Sequence, residues 1–422
     1  MITDTVIVLA KSPVPGRVKT RLTPTFTREE AAALAAAAIR DTLDAVAEAG
    51  PRHTVIAWDG PRTPWLPAAA SLRDQRGDTL DERLEHVFED VLGPADDRPT
   101  LLVGMDTPQL RGPDLDVDWA GVDAVLGMSH DGGYWAIGFR RYHPGAVRGV
   151  PMSTSRTGAD QLERLRSLGL RVLLLPPLRD VDEPQDAREV AETAPDSRFG
   201  RLHRRLVATP CPATTLFDTA IAGGDVRVHV SDGPVRARCH PLDVRAWLAM
   251  SGADELLVSR CEGPVLDIGC GPGRFVEALA ARGIPALGVD VSHGAVTQTS
   301  RRGAAALLRD VHDRLPGEGR WGTVLLADGN IGIGGDPLTL LRRCRELLSP
   351  GAVALVEASP DDTADVRTSI TLHEPRGRHS TPVPWAVIGT RVLIEVASRV
   401  GFLAVEDWRV DGRAFVTLRH AG

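Results

Sequence analysis

The sequence predicts an α/β protein with two domains, each built around a mainly parallel sheet between layers of helices. Short apolar runs typical of buried strands alternate with Ala- and Leu-rich runs of helical period through both halves of the chain. At 422 residues the chain is longer than one hydrophobic core usually organises. Residues 208–213 hold two prolines, which break both helix and strand, and therefore mark the boundary between the halves.

The positions of the elements follow from these runs. In the first half, strands are predicted at residues 6–10, 54–58, 101–104, 124–128, 134–139 and 171–175, and helices at 28–49 and 80–92. In the second half, a β-like stretch at 226–240 with a turn at Asp232-Gly233 precedes strands at 265–269, 286–290 and 304–308 and helices at 275–282 and 390–400. We therefore expect a domain at 1–206, a linker with a small β-rich substrate element at 207–254, and a domain at 255–422.

Composition argues against several classes of partner. The formal net charge is −7 without long runs of one sign, which argues against general binding to nucleic acids or membrane surfaces. No apolar stretch is long enough to span a membrane. The five cysteines contain no Cys-x-x-Cys pair, a pattern that suits free thiols in a reducing compartment. We expect a cytoplasmic protein with no nucleic-acid partner and no membrane partner.

The most informative segment is a basic loop after the first predicted strand. Lysine occurs only at Lys11 and Lys19, both in this loop, so 49 − 2 = 47 of the 49 basic residues are arginine. The planar guanidinium of arginine replaces a compact ammonium poorly, which suggests a specific role for both lysines. With Gly16, Arg17 and Arg21 they form a cationic loop at the carboxyl end of a strand, where phosphates commonly bind. The alternative is an ordinary solvated basic loop.

Three acidic positions in the same half point to a metal-assisted site. Asp106 and Asp182 each follow a predicted strand, and Asp131 opens the turn before another strand. A diphosphate held by basic side chains commonly also requires a hard divalent cation, Mg²⁺ or Mn²⁺, which selects carboxylate oxygens. We expect Asp106 and Asp182 to bind the metal, and Asp131 is a candidate general base. Each acid also has a plain structural explanation, as a helix cap or part of a hairpin turn.

Residues 1 to about 205 resemble small bacterial GT-A-type transferases, the arsenosugar-biosynthesis-like glycosyltransferases, which are distant relatives of molybdenum-cofactor and phospholactate nucleotidyltransferases. The resemblance is carried by the basic loop at residues 10–22 and by residues 104–110, 131–138 and 180–186. It implies a Rossmann-like three-layer domain in which the basic loop binds nucleotide phosphates and Asp106 binds the metal. Lys11 and Lys19 would neutralise the departing phosphate, with Lys19 as a catalytic residue. The donor would be a nucleotide sugar, releasing a nucleoside diphosphate, or an NTP, releasing pyrophosphate.

A glycine-rich motif marks the second half. Gly269, Gly271 and Gly273, together with the preceding Asp267, follow a predicted strand and precede a predicted helix. A dinucleotide-binding loop would need glycine one step later, at the position of Arg274. Glycines let the backbone approach a ligand closely, because no Cβ atom intervenes. The alternative is an ordinary strand–turn–helix with a capping glycine.

From about residue 256 onward the chain resembles class I S-adenosylmethionine-dependent methyltransferases, which have this glycine spacing in a Rossmann-like fold. The resemblance implies that the three glycines approach S-adenosyl-L-methionine and that Asp267 lies near its methionine amino group. Asp290, which ends a predicted strand, would accept hydrogen bonds from the ribose hydroxyls. Asp310 and Val311 would flank the adenine.

The sequence therefore predicts a bifunctional transferase, in which a metal-dependent glycosyltransferase is fused to a methyltransferase that acts on a related small-molecule acceptor. Two alternatives remain open: the first half is a nucleotidyltransferase, or one half is a non-catalytic ligand-binding module. In the loop after the fourth strand of the second half, Asp328 and Asn330 are candidates for orienting the acceptor. Acceptor specificity is expected in a polar, Pro-rich insertion and in the segment before the fold, at His373, Arg376, His379, Trp385, His240 and Trp247.

Overall fold

The computed structural model describes residues 3–92, 97–231, 238–375 and 377–422. The chain divides into two compact units, Met1–Leu206 and Val207–Gly422. The predicted turn at Asp232-Gly233 and the candidate acceptor residue Arg376 lie outside the described residues. Among the described residues, no helix combines the length and the apolar character needed to cross a membrane.

The first unit is a seven-stranded sheet with helices on both faces. Its strands are β1 (Thr5–Lys11), β2 (His53–Asp59), β3 (Ser71–Asp74), β4 (Thr100–Gly104), β5 (Ala124–Ser129), β6 (Tyr134–Phe139) and β7 (Val172–Leu178). Its helices are α1 (Arg28–Ala49), α2 (Leu80–Val91), α3 (Thr157–Ser167), α4 (Pro184–Thr193) and α5 (Arg198–Ala208), with 3-10 turns at Thr20–Leu22 and Gly112–Leu115.

The strand order in this sheet is β3-β2-β1-β4-β6-β5-β7, in which neighbouring strands are parallel except where they pair with β6. Val6 and Val8 of β1 are buried in a cluster with Ile39 of α1. Ile7 points to the opposite face and is buried with Phe88 of α2. The central strand is therefore covered on both faces, as its uninterrupted apolar run predicts. Because parallel strands align their carboxyl ends, the loops after β1 and β4 meet at one edge of the sheet.

The sequence prediction agrees with the central elements of the first unit and is incomplete at the sheet edges. The predicted strand at 134–139 and the predicted helix at 28–49 have the bounds of β6 and α1. The edge strand β3 is not predicted, because its four residues are mostly exposed and show no apolar run. β7 continues through Pro176 and Pro177, beyond the predicted end at residue 175. Prolines are tolerated there because β7 is an edge strand.

The second unit contains another seven-stranded sheet and a smaller one. Its strands are β8 (Arg227–Ser231), β9 (Arg238–Pro241), β10 (Val265–Ile268), β11 (Ala286–Asp290), β12 (Ala306–Leu308), β13 (Trp321–Leu326), β14 (Leu348–Ala358), β15 (Asp365–His373), β16 (Val383–Ile388), β17 (Phe402–Val410) and β18 (Arg413–His420). Its helices are α6 (Ala213–Ile221), α7 (Gly252–Ser259), α8 (Arg274–Ala281), α9 (His293–Arg301), α10 (Pro337–Leu347) and α11 (Thr390–Ser398), with 3-10 turns at Val244–Trp247 and Asn330–Gly332.

The large sheet of the second unit has the order β12-β11-β10-β13-β14-β18-β17. The strands from β12 to β14 are parallel, and β18 is antiparallel to both of its neighbours. β10 lies between β11 and β13, so the loops that follow these three strands meet at one edge. The predicted α/β fold class is confirmed for both halves of the chain.

The smaller sheet joins two segments that are far apart in the sequence. Its order is β16-β15-β8-β9, and its pairs are antiparallel. β8 and β9 precede the large sheet, whereas β15 and β16 lie in the insertion that the sequence marks only as polar and Pro-rich. One face packs on α6 through Val228, Leu216 and Leu372. Residues 207–254 thus contribute α6, β8 and β9 to the second unit, and their role in binding substrate stays a prediction.

A buried carboxylate joins α1 to the start of α5. Asp41 accepts hydrogen bonds from the backbone N–H groups of Arg198 and Phe199, both at 2.8 Å. Replacing Asp41 with Ala leaves both donors without this acceptor, so we expect the free energy of unfolding to fall by about 2–4 kcal/mol in urea titrations. Asp44→Ala is the control, because Asp44 pairs with Arg198 at 2.7 Å near the surface. Its loss should change stability by less than about 1 kcal/mol. Equal losses for the two variants would contradict this account.

Candidate functional site

The predicted basic loop and the predicted acids line one cleft in the first unit. The cleft has a volume of about 880 Å³ and lies at the carboxyl ends of β1 and β4. The predicted site residues that line it are Lys11, Arg17, Lys19, Arg21, Asp106, Asp131 and Asp182. Gly16 has a φ angle of 74° and gives the loop a left-handed turn that a side chain would strain. The structure thus brings together basic and acidic side chains from separate parts of the chain.

Lys19 lies at the centre of these charges. Its ammonium is 2.5 Å from Oδ1 of Asp106 and 3.4 Å from Oδ1 of Asp182, and it also donates to the carbonyl oxygen of Val181. Only 7% of the Lys19 side chain is exposed. Burial alone would lower the pKa of Lys19, but the carboxylates of Asp106 and Asp182 outweigh burial and raise the pKa. Lys19 is therefore a buried cation that stays charged at neutral pH.

Three carboxylates in the same cleft form a compact group. Ligand atoms of Asp131, Asp180 and Asp182, here called the carboxylate triad, lie within 4.8 Å of one another. Burial, followed by the negative charge of Asp131, raises the pKa of the Asp180 carboxyl to about 6, and the charges of Asp182 and Asp106 add to this effect. Converging carboxylates are the donors that a hard divalent cation selects, so the residues present fit Mg²⁺ or Mn²⁺.

This grouping differs from the sequence prediction, which pairs Asp106 with Asp182 as metal ligands. In the structure Asp106 contacts Lys19, whereas Asp131 and Asp180 join Asp182. Asp180 is not singled out from the sequence, because it is one of four acids between residues 180 and 186 and only the fold shows which of them converge. Asp131 accepts a hydrogen bond from the N–H of Gly133 at 2.7 Å within its own turn. Its role as a general base stays a prediction.

Other cleft residues carry no sequence motif. Gln75 follows β3, and its Nε2 donates to the carbonyl oxygens of Ala10 and Ala57, both at 2.9 Å. It therefore ties the carboxyl ends of β1 and β2 together. Asp59 ends β2 and pairs with Arg83 at 3.1 Å. Gln75, Asp59 and Arg83 all line the cleft, but isolated polar residues of this kind give no signal in a single sequence.

In the second unit the predicted glycine motif forms a turn between β10 and α8. Gly269, Gly271 and Gly273 have φ angles of 70°, 53° and 84°. A Cβ atom at Gly269 would lie 2.6 Å from Nδ2 of Asn330, and one at Gly273 would lie 2.5 Å from the side chain of Thr299. A Cβ atom at Gly271 would meet nothing within 4 Å. The space in front of Gly271 is therefore open to a ligand, whereas the other two glycines allow close packing.

Two acids flank this glycine turn. Asp290 ends β11 and accepts hydrogen bonds from the backbone N–H groups of Gly271 at 2.9 Å and Ser292 at 2.8 Å. These bonds fix its carboxylate, which still has lone pairs for ribose hydroxyls. Asp267 is 1% exposed, and its Oδ2 has no hydrogen-bond partner among the described residues. Burial raises the pKa of Asp267 to about 7, opposed by the charge of Arg274.

The unpartnered oxygen of Asp267 is a test of whether this site suits S-adenosyl-L-methionine. A buried carboxylate without a partner is unfavourable unless a cation pairs with it. The α-amino group of the methionine moiety is such a cation. Together with the open space at Gly271, the unpartnered oxygen means that the residues present fit this cofactor.

The predicted adenine contacts fall on one exposed and one buried residue. Asp310 is exposed, and its Oδ1 accepts a hydrogen bond from the backbone N–H of His312 at 2.9 Å. The side chain of Val311 is buried in the core, and its carbonyl oxygen accepts from Nε of Arg343 at 2.9 Å. The side chain of Val311 is thus committed to packing, and contact of this pair with adenine stays a prediction.

An ion network connects the glycine turn to the loop after β13. Arg274 pairs with Asp254 at 3.3 Å and with Asp328 at 2.8 Å, and Arg413 pairs with Asp254 and Glu357, both at 2.6 Å. Arg274 and Asp254 are buried. Burial alone would raise the pKa of Asp254, but hydrogen bonds from the backbone and from the two arginines lower it to about 2. Arg274, which stands where a dinucleotide-binding motif would have glycine, therefore has a structural role.

The two loop residues that the sequence marks as candidates for orienting an acceptor are both engaged within the protein. Asp328 is held by Arg274, and its backbone N–H donates to Glu357 at 2.6 Å. Asn330 donates from Nδ2 to the carbonyl oxygens of Ile268 at 2.8 Å and Gly269 at 3.0 Å. Both side chains thus fix the loop after β13 against the glycine turn.

Of the residues expected to select the acceptor, His240, His373 and Trp385 lie on strands of the small sheet, whereas Trp247 ends a 3-10 turn and His379 lies outside the strands. The ring of His373 of β15 lies against that of His229 of β8, with centroids 4.1 Å apart and planes tilted by 38°, and the ring of His379 lies 5.9 Å from that of His373. Trp247 and Trp385 pack against the hydrophobic cluster between the sheet and α6. His229 is not noted from the sequence, because the pairing of β8 with β15 becomes visible only in the fold.

Comparison with family models identifies both domains. Residues 33–154 match a family described as "Uncharacterized protein conserved in bacteria (DUF2064)", and residues 265–351 match a family described as "Methyltransferase domain". The chain is therefore a fusion of a DUF2064 domain with a methyltransferase domain. No curated protein matches the chain.

Solved structures resemble the two units separately. A protein from Desulfovibrio desulfuricans G20, provisionally described as a nucleotide-diphospho-sugar transferase, is 27% identical over 48% of this chain and 95% of its own, with a TM-score of 0.44. A SAM-dependent methyltransferase from Bacteroides fragilis, solved with S-adenosyl-L-homocysteine, is 19% identical over 50% of this chain and 94% of its own, with a TM-score of 0.43. The 1,6-didemethyltoxoflavin-N1-methyltransferase of Burkholderia thailandensis is 19% identical over 46% of this chain and 96% of its own, with a TM-score of 0.35.

Substitutions at two glycines with similar backbone conformations can distinguish an effect on ligand binding from an effect on folding. Gly271 and Gly283 both have positive φ angles, of 53° and 71°, and a Cβ atom at either would meet nothing within 4 Å. Each Gly→Ala change should destabilise the fold by about 1 kcal/mol. We expect only Gly271→Ala to weaken binding of S-adenosyl-L-homocysteine, by about tenfold or more in calorimetric titrations, because the new methyl group projects into the ligand space. Equal affinities of the two variants would contradict this assignment.

Burial of Asp267 predicts a pH-dependent affinity for S-adenosyl-L-methionine. With a pKa of about 7, roughly nine-tenths of this carboxyl is protonated at pH 6. Pairing with the cationic amino group favours the charged form, so binding should release a proton, and affinity should rise about tenfold from pH 6 to pH 7.5. Calorimetry in buffers of different ionisation enthalpy measures the proton release. Asp267→Asn should remove both effects, and a wild-type affinity without pH dependence would contradict the pairing.

Proposed function

We propose that the first unit transfers a glycosyl group from a nucleotide sugar with the help of a divalent metal ion. The observation that carries the proposal is the cleft in which the basic loop and Lys19 lie beside the carboxylate triad. Its volume of about 880 Å³ is in the range of sites for ligands of nucleotide size. Positive and negative side chains in one cleft are what a complex of metal and diphosphate requires.

The residues of the cleft have distinct roles in this proposal. The basic loop, shaped by Gly16, binds the donor diphosphate through Lys11, Arg17 and Arg21. The carboxylate triad would hold the metal, which would supply positive charge to the leaving diphosphate. Lys19 supplies a further positive charge at the departing oxygen. Asp106 positions Lys19 through their ion pair and is not one of the proposed metal ligands.

The products distinguish this proposal from nucleotidyl transfer. Incubated with a panel of sugar nucleotides and Mn²⁺, the full chain should release a nucleoside diphosphate, slowly even with water as acceptor. Asp182→Asn should lower this rate by about 100-fold, because it removes a charge from the proposed metal site. Asp44→Ala, on the surface of the same unit, is the control.

Release of pyrophosphate from an NTP and a sugar phosphate would support the nucleotidyltransferase instead. Ligand-induced stabilisation without either product would indicate a binding module.

We also propose that the second unit transfers the methyl group of S-adenosyl-L-methionine to a small-molecule acceptor. The cofactor supplies an electrophilic methyl group on its sulfonium. The glycine turn and Asp290 bind the nucleoside, and Asp267 pairs with the amino group. A bridge between Ile333 and Trp385 connects the small sheet to the loop after β13, which supports the proposal that this sheet holds the acceptor. Alignment of the acceptor with the methyl group is the main requirement of the reaction.

We infer that the two units act on related small molecules in the cytoplasm. Fusion raises the local concentration of one site near the other, which is useful only if the substrates are related. The five cysteines are free, and four of them are buried, in agreement with a reducing compartment. We expect no nucleic-acid and no membrane partner. Radiolabelled methyl transfer to the isolated product of the first unit tests the coupling, and methylation of unrelated acceptors alone would contradict it.

A further inference from the structure

We propose that Lys19 occupies part of the metal site as an internal counter-cation, and that it leaves the carboxylates for the donor phosphates when a metal–diphosphate complex binds. This inference rests on the function proposed for the first unit. Lys19 then controls when the metal can bind, in addition to stabilising the leaving group.

The contacts of the ammonium support this inference. An ammonium has three donors, and Lys19 is in contact with three oxygens, those of Asp106, Asp182 and the Val181 carbonyl. Oxygens that converge on a compact cation are also what a divalent ion needs. Asp182 belongs to both arrangements, because it contacts Lys19 and is part of the carboxylate triad. The ammonium and a divalent cation therefore compete for the same carboxylate.

The backbone of Lys19 has a conformation that needs support from its surroundings. Lys19 has φ and ψ angles of 48° and 41°, in the left-handed region that residues other than glycine rarely adopt. Such a conformation persists when the surrounding contacts hold it in place. When a metal replaces the ammonium at Asp182, repulsion between the two cations removes part of that support. The long, flexible side chain can then reach phosphate oxygens in the same cleft.

This exchange predicts coupling between metal and phosphate. A metal ion alone has to displace Lys19 and leave the ammonium without compensation, so it should bind weakly. A metal ion with a diphosphate gives Lys19 a new anionic partner, so each should strengthen the binding of the other.

Manganese binding to the full chain, measured by calorimetry and electron paramagnetic resonance, tests the inference without any turnover. We expect Lys19→Met to bind Mn²⁺ alone about tenfold more tightly than the wild type, because the competing charge is gone. Inorganic pyrophosphate should strengthen Mn²⁺ binding to the wild type by about tenfold and strengthen it much less in Lys19→Met. Lys11→Met is the charge-matched comparison: it removes the other lysine of the same cleft, whose side chain is exposed, and should raise the affinity for Mn²⁺ alone much less than Lys19→Met does.

The outcomes separate this inference from the proposed function. Adding Asp182→Asn to Lys19→Met should abolish the gain, which places the bound Mn²⁺ at the shared carboxylate. An unchanged or weaker Mn²⁺ affinity of Lys19→Met would overturn the inference, even if the wild type binds pyrophosphate and nucleotide sugars. A gain in Mn²⁺ affinity without any binding of diphosphates would support the competition at Asp182 and contradict the proposed function. If Lys19→Met does not fold, Lys19→Gln provides the same test.

Discussion

Both units depend on one geometric constraint, the alignment of carboxyl ends in a parallel sheet. In the first unit β1 and β4 are neighbours, although α1, β2, β3 and α2 separate them in the chain. This pairing places the basic loop beside the segment that carries Asp106. In the second unit β10 lies between β11 and β13, which brings the glycine turn beside Asp290 and the Asp328 loop. Strand pairing alone therefore brings together the loops that form each site.

Ion pairs then fix the loops at these sheet edges. Lys19 is held by Asp106, and Asp328 is held by Arg274. Of the four non-glycine residues in the described part of the chain that have positive φ angles, Lys19 and Ser153 line the cleft of the first unit, and Asp328 pairs with Arg274 beside the glycine turn of the second. Unfavourable backbone conformations of this kind concentrate where surrounding contacts are strong enough to hold them and where a ligand can use them. The charges thus define the shape of the loops as well as the chemistry of the clefts.

The sequence predicts those features that are local in the chain. The apolar run of β1 and the helical period of α1 identify their elements, and the spacing of Gly269, Gly271 and Gly273 identifies the tight turn between β10 and α8. Features that depend on pairing between distant segments are not predicted. Asp180 has no distinguishing pattern among neighbouring acids, yet the fold brings it to Asp131.

Similarly, the buried partners of Arg274 are not visible from the motif that contains it. Its contact with Asp254 needs α7 to pack beside α8, and its contact with Asp328 needs β13 to lie beside β10. A spacing rule reports which backbone can approach a ligand. It does not report which charges lie behind that backbone, because those charges come from a helix and a loop elsewhere in the chain.

The small sheet has a consequence for how the second unit can be divided. Ser231 of β8 pairs with Ser369 of β15, which lies 369 − 231 = 138 residues further along the chain. A fragment that begins at residue 255 would keep every strand of the large sheet but lose β8 and β9, leaving the inner edge of β15 with unpaired backbone donors and acceptors. Such an edge favours self-association. A fragment of the methyltransferase part that keeps this sheet whole therefore has to include α6, β8 and β9, and during synthesis the sheet can be completed only after β10 to β14 have been made.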